Sequence, residues 1–360
     1  MDLTKDNITE LIKKIAIPAS VGTFFQTMYN LVDSKFAGLI SPEALTAIVK
    51  SFPIYLIIIA ASVGISAGTT ALISNTLGQK DTEKASVLFA QSIIVALLIT
   101  FVVTFIGIAS IKDILIILKS NNQIISYATE YMNIIFSGSI VIFLLVTINA
   151  SLVSRGDTKS YRNVLIFSFF LNILLNPLFI YGFYLIPAMG ISGIALATIV
   201  SELIGLIYLI YKINKTEIRE YLSPECFKPK IALISDILKQ AIPSGLSMGM
   251  VGFGVFILIY LVSSYGDFSA GGYGTGVRFE QLFLLPILGL NTATLSLVGQ
   301  NFGANNLNRI KEVYFLTLKY GISLMIIGGL IIFISSPYVM RFFSNNSDII
   351  YYGTAYLKIA

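Results

Sequence analysis

The chain of 360 residues contains no histidine and a single cysteine, Cys226. The first absence excludes His-dependent catalytic triads and imidazole metal sites. The second leaves no intramolecular disulfide and no cysteine-built metal centre. Charge is also scarce. Only 12% of residues are Asp, Glu, Lys or Arg, against about a quarter in an ordinary soluble domain, so that class is excluded too. No G-x-x-x-x-G-K-[ST] loop follows a strand, and no convergent catalytic set is present. Neither an ATP site nor an enzymatic activity is expected, and no organic cofactor is called for.

What the chain has instead is apolar length. Hydrophobic residues make up 56% of it and the mean hydropathy is +0.83. Apolar runs of about 20 residues, enough for a helix to cross a bilayer, recur along it. Spans are predicted at 15–38, 48–74, 86–109, 125–148, 161–182, 189–211, 240–264, 276–300 and 310–335, with a tenth beginning near 349. The net charge of +5 does not point to nucleic acid, because the basic residues fall between spans. Lys13, Lys14, Lys80, Lys84, Arg155, Lys159, Arg162, Lys212, Lys215, Arg219, Lys228, Lys230, Arg309 and Lys311 lie in one set of connections, whereas the opposite set has only a few, such as Lys112, Lys119 and Arg341. The positive-inside bias then puts the N-terminus in the cytoplasm. The opening MDLTKDNITELIKK reads as an amphipathic lead-in helix rather than a secretory signal.

The first part of the chain recurs 225 residues later. Ile12, Lys14, Ala16, Ile17 and Pro18 align with Ile237, Lys239, Ala241, Ile242 and Pro243; Gly78 aligns with Gly303; Tyr127, Thr129 and Tyr131 align with Tyr352, Thr354 and Tyr356. A complete copy has six spans, an even number, so both copies insert in the same orientation, related by an axis along the membrane normal. The fold expected is an all-α polytopic membrane protein with two parallel-related six-helix lobes and 9–10 transmembrane helices. Residues 1–211 form the N-terminal lobe, 212–238 a cytoplasmic linker containing Pro224 and Pro229, and 239–360 a partial C-terminal lobe. The second copy is expected to be incomplete, since only Lys358, Ile359 and Ala360 follow its last anchors. The turns LGQKD and VGQNFGANN read as tight helix–helix connections with Gly78 and Gly303 as C-caps.

Polar groups inside the spans need a reason, because a carboxylate at mid-bilayer costs about 2.5–3.5 kcal/mol on insertion scales. Gln26, Tyr29, Asn30 and Asp33 fall on one face of the first span. Asn172 and Asn176, at i and i+4, share a face of the fifth, as do Thr198 and Glu202 on the sixth. At about 1.5 Å per residue, Asp33, Asn176 and Thr198 lie about five, six and nine residues below the outer helix ends, so they are expected to meet in one cavity. The competing reading of Asp33 is an interfacial residue paired with Lys35, and that of the asparagines is interhelical hydrogen bonding, worth about 0.6 kcal/mol each. Glu202 is either a functional carboxylate or a protonated, hydrogen-bonded one. Arg278 and Glu280 in the eighth span read as a structural ion pair or a gate.

Four stretches resemble a known family: FFQTMYNLVDSKFAG in the first span, NILLNPLFIYG in the fifth, GISGIALAT opening the sixth, and GVRFEQLFLLPILGLNTATLSLVGQNFGANN in and after the eighth. Over essentially the whole chain the sequence resembles the multidrug and toxic compound extrusion (MATE) family, nearest its DinF-like and archaeal-type branch. That resemblance implies two lobes around a central cleft and export of organic, often cationic, compounds driven by H⁺ or Na⁺ entry. It implies a cation or proton site at Asp33, Asn172, Asn176 and Thr198, with Na⁺ as one occupant at Asp33, Asn172 and Thr198. Gln26, Tyr29, Asn30 and Glu202 become candidates for the substrate cavity. The family pattern has an aspartate where this chain has Asn176, which leaves Asp33 as the charge of that site.

The function expected is a cation-coupled antiporter working by alternating access in a prokaryotic cytoplasmic membrane. Its partners would be small organic substrates and the lipid bilayer, and it would act as a monomer without nucleic acid. The alternatives are a lipid-linked oligosaccharide flippase of the same superfamily, which usually needs a more basic cleft, or a non-transporting fragment or assembly partner.

Overall fold

The computed structural model describes residues 1–118, 120–263, 267–343 and 347–359. Lys119 and Ala360, mentioned above, lie outside them. Eleven α-helices are present among the described residues: α1 (Ile8–Ile40), α2 (Pro42–Gly78), α3 (Thr82–Ile117), α4 (Asn122–Ser137), α5 (Ser139–Val153), α6 (Lys159–Tyr181), α7 (Ile191–Ile213), α8 (Ile231–Ser263), α9 (Asp267–Gly303), α10 (Leu307–Phe343) and α11 (Ser347–Leu357). No named strand occurs among the described residues. The face at which α1 begins is the near face, and the opposite one the far face.

Local chemistry sets the helix starts. The side chains of Asn7, Ser41, Asp81 and Asn121 each accept a hydrogen bond from the backbone N–H three residues on, at Glu10, Ala44, Lys84 and Ile124. This is N-capping of groups that the helix cannot satisfy itself. Ser41 alone joins α1 to α2, with Pro42 opening the second helix, so the two form a tight hairpin. Six helices, namely α2, α3, α6, α7, α9 over Gly272–Gly303 and α10, are long and apolar enough to cross a membrane, and the bent pair α4 and α5 passes the same test when taken together. The helices α1 and α8 have 33 residues each, about 50 Å at 1.5 Å per residue. In α1 the polar stretch from Gln26 to Asp33 dilutes its apolar character. Large apolar side chains such as Phe101 and Phe105, 73% and 69% exposed on α3, face outward. Such faces suit lipid rather than water. The chain is a multi-pass membrane protein.

One predicted span is corrected. The fourth, expected as a single helix over 125–148, bends by 46° between α4 and α5. The break is at Gly138, where an added Cβ would lie 2.6 Å from the side chain of Ile199 on α7. The missing side chain makes the notch that α7 fills. The segment expected as a linker, 212–238, holds two short 3-10 turns, Glu217–Arg219 and Pro224–Phe227, and runs into the first turns of α8. It is tied to α3: Gln91 donates to the carbonyls of Cys226 (2.7 Å) and Lys228 (2.9 Å) and accepts from the Lys230 N–H (2.8 Å). Ser86 donates to the Ile218 carbonyl at 2.8 Å.

The repeat is carried into three dimensions with its offset intact. Gly78 and Gly303 close α2 and α9, and Thr82 and Leu307 open α3 and α10, each pair 225 residues apart. Lys80 and Asn305, also 225 apart, adopt left-handed φ of 62° and 55° in the equivalent turns. The C-cap reading of Gly78 and Gly303 is therefore wrong. Both glycines are the last helical residues, and the left-handed positions fall two residues later.

Their role is close approach. A Cβ on Gly78 would lie 1.9 Å from the Gln300 carbonyl oxygen, and one on Gly303 would lie 1.8 Å from that of Asn75. Asn75 and Gln300 are themselves repeat equivalents. The same reciprocity holds further in, where a Cβ on Gly64 would meet the Ala241 oxygen at 2.5 Å and one on Gly289 the Ala16 oxygen at 2.4 Å. A contact in which i meets j and the equivalent of j meets the equivalent of i is the signature of a two-fold axis. That axis passes between α2 and α9, and the near ends of α1, α2, α8 and α9 close around it. Towards the far face the packing opens: Cβ atoms on Gly249, Gly254 and Gly274 would have no neighbour within 4 Å.

Candidate cation site

Helix α1 packs against α6 and α7, and this contact turns Asp33 inward, leaving it 5% exposed. The i, i+4 spacing of Asn172 and Asn176 aims both side chains from α6 at the same point, and both are fully buried. Thr198 approaches from α7. Asn176 donates through Nδ2 to Asp33 Oδ1 at 3.0 Å and to Asn172 Oδ1 at 2.8 Å. The Thr198 hydroxyl lies 3.1 Å from Asp33 Oδ2 and 3.1 Å from the Ile194 carbonyl, so its one proton is shared between two acceptors. Asp33 is thus held from two helices, α6 and α7, and does not pair with Lys35, two residues away on the opposite side of α1.

The electrostatics of this cluster are one-sided. Both carboxylate oxygens face neutral donors, and among the described residues no basic side chain forms an ion pair with Asp33. A buried carboxylate without a counter-charge is costly unless something positive joins it. The oxygen Asn176 Oδ1 is buried and accepts no hydrogen bond. A carboxylate beside an orphaned amide oxygen is a donor set that fits a proton or a small hard cation such as Na⁺. Asn172 stands near Asp33, but its Oδ1 already accepts from Asn176 and its Nδ2 is unpaired. The oxygen free for a cation is therefore that of Asn176. No group of three or more His, Cys, Asp or Glu that could hold a metal occurs among the described residues.

The other predicted positions divide. Tyr29 is buried beside Asp33, and its hydroxyl approaches Thr198 without reaching hydrogen-bond geometry. Gln26 and Asn30, expected on the same face, are exposed. Gln26 is seven residues, about 20° of rotation, from Asp33, so the two share a direction and differ in depth along α1. Glu202 lies one turn below Thr198, within electrostatic reach of Asp33. The ion pair of Arg278 with Glu280 is absent. Residues two apart on a helix do not face each other, and Glu280 instead accepts from the Tyr356 hydroxyl of α11, while Arg278 is exposed. The position equivalent to Asp33 in the second copy, Leu258, is 49% exposed.

Sequence reasoning missed Tyr55, Tyr131 and Tyr161 as neighbours of the carboxyl groups of Asp33 and Glu202. A phenol inside an apolar span needs a partner for its hydroxyl, and that requirement was the available signal.

The MatE family model matches residues 18–178 and 243–360. "Probable multidrug resistance protein YpnP" of Bacillus subtilis (strain 168) is 30% identical, with 99% of this chain and 79% of that protein aligned. "Probable multidrug resistance protein NorM" of Thermotoga maritima is 28% identical over 99% of this chain and 77% of that protein. A solved structure of a multidrug resistance MATE family transporter of the MOP superfamily, in an outward-facing conformation, superposes with a TM-score of 0.89 at 26% identity, covering 99% of this chain and 79% of the other.

Proposed function

Taking as premise the MatE family, to which this chain belongs, we propose that the protein is a cation-coupled exporter of small organic compounds, amphipathic or cationic in character. The observation that carries this reading is Asp33: a buried carboxylate, fixed by Asn176 and Thr198, with no basic partner among the described residues. Such a group holds a proton or Na⁺ in one state and is left to be neutralised by a cationic cargo, or by a fresh ion, in another. Exchange at one carboxylate couples the two fluxes without any ATP site.

In this reading the near face is cytoplasmic, following the clustered basic connections, and the protein sits in a prokaryotic cytoplasmic membrane as a monomer. Residues 1–211 and 239–360 act as the two lobes, with 212–238 as their tether. The glycine crossings close the cytoplasmic end, while Gln26 and Asn30 line the cleft that opens outward. Alternating access consists of breaking the first contact and forming its outer counterpart. A lipid-linked oligosaccharide flippase is less well supported, because basic side chains within the spans are too few to hold a pyrophosphate.

The test is efflux from proteoliposomes with H⁺ and Na⁺ gradients imposed separately. Asp33→Asn keeps the shape and removes the charge. Coupled efflux is expected to fall by about 10- to 100-fold, as for loss of about 1.4–2.8 kcal/mol of coupling, with expression and monodispersity intact. Unimpaired efflux in that variant overturns the reading.

A further inference from the structure

Glu202 is a half-buried carboxyl residue for which the exchange at Asp33 has no use. Its Oε2 is buried and has no hydrogen-bond partner. Among the described residues no basic side chain forms an ion pair with it. Four residues separate it from Thr198 on α7, so it lies about 6 Å nearer the near face than the hydroxyl that holds Asp33. We propose that Glu202 is a second proton station, taking the proton from Asp33 and passing it to the near face through the interior of the first half.

The groups around it trace such a route. Tyr29 and Asp33 of α1, Tyr55 of α2, Tyr131 of α4 and Tyr161 of α6 lie within electrostatic reach of it. Helix α5 has no titratable side chain. Tyr29, within electrostatic reach of both carboxyl groups, is 8% exposed and has a buried hydroxyl with no hydrogen-bond partner. It is therefore placed to relay between them. Tyr161 is in the first turn of α6, at the near-face rim, and lies within electrostatic reach of Glu202. The Ser201 hydroxyl, also buried and unpaired, adds a further donor on α7.

The transfer balances simply. The Asp33 carboxylic acid loses its proton and becomes a carboxylate, Glu202 becomes the acid, and its proton then leaves to water at the near face. An organic cargo is poorly suited to this position. Just below Glu202, helices α6 and α7 touch so closely that a Cβ on Gly205 would lie 2.4 Å from the Val164 side chain. A proton passes where a molecule cannot. Glu202 thereby moves from the substrate cavity, where the sequence pattern put it, to the ion path.

The inference rests on the exchange proposed at Asp33, and the experiment separates the two. The full chain is reconstituted, and ethidium transport is driven by a pH gradient alone or a Na⁺ gradient alone in wild type, Asp33→Asn, Glu202→Gln and Glu202→Asp. Glu202→Gln is expected to lower pH-driven transport by about tenfold or more and to change ethidium binding by less than about twofold, with Glu202→Asp recovering most of the rate. The infrared band of a protonated carboxyl should be lost in part with Glu202→Gln. If Asp33→Asn is inactive while Glu202→Gln transports normally, the second station fails and the first stands. Normal transport by Asp33→Asn removes both. Loss of ethidium binding in Glu202→Gln makes Glu202 a cargo residue and overturns the inference, as does wild-type transport that responds only to Na⁺. Should Glu202→Gln fail to fold, Tyr161→Phe supplies the same readout, and an unchanged pH-driven rate there counts against the route.

Discussion

Replacing Gly78 by alanine should unlatch the near face. The new Cβ would stand 1.9 Å from the Gln300 carbonyl oxygen, and real Cβ atoms essentially never come within 3.0 Å of another heavy atom. Helices α2 and α9 must therefore part by about 1.1 Å at the crossing, the difference between those two distances. Relief by rotamer change is unavailable, because the clashing atom is backbone. Overpacking of this kind costs typically about 1–3 kcal/mol. The cost falls only on the conformation in which α2 and α9 touch, so it shifts the balance between near-closed and near-open states by about 5- to 150-fold. Spin labels at Lys80 and Asn305, both exposed and next to the crossing, on a Cys226→Ser background, report that balance as a distance distribution. Gly78→Ala should lengthen it, and Gly303→Ala should do the same from the other side of the axis. Gly249→Ala, where a Cβ has nothing within 4 Å, should not. An unchanged distribution in both Gly78→Ala and Gly303→Ala refutes the latch, whatever happens to transport.

Other expectations concern the cation site and the tether. Asn176→Ala leaves Asp33 Oδ1 and Asn172 Oδ1 without their donor, and should cost about 1–3 kcal/mol in thermal unfolding in detergent. Asn176→Asp sets a second carboxylate beside the first and should raise the apparent affinity for Na⁺ by about tenfold in a radiotracer binding assay, through added cation attraction. Equal binding by the variant and wild type argues against a cation at this oxygen. Gln91→Ala removes three bonds between α3 and the segment after α7. At about 1 kcal/mol each, the loss should speed limited proteolysis of that segment well before the helices unfold.

Much of this architecture is legible along the chain because it depends on neighbours in sequence. The caps at Ser41, Asp81 and Asn121, the apolar runs, and the 225-residue offset are linear information. The gathering of Asp33, Asn176 and Thr198 was also foreseeable, because helical periodicity and rise per residue give both face and depth. The ion pair of Arg278 with Glu280 was misread by treating nearness in sequence as nearness in space. Tyr356, 76 residues from Glu280, owes its place there to the docking of α11 on α9.

By itself, then, the sequence determined an all-helical, twice-copied membrane protein with Asp33 in the first copy and Leu258 in its place in the second. Only the tertiary structure decided what the glycines are for, where α4 and α5 break, and which oxygen stands free beside Asp33. Each of those depends on an approach of a few ångströms between helices far apart in the chain. Crossing angle and side-chain rotamer set such distances, and neither is written in periodicity. The glycines at 78 and 303 read locally as helix stops, but across the two-fold axis each is the absence of a side chain that lets the opposite backbone in.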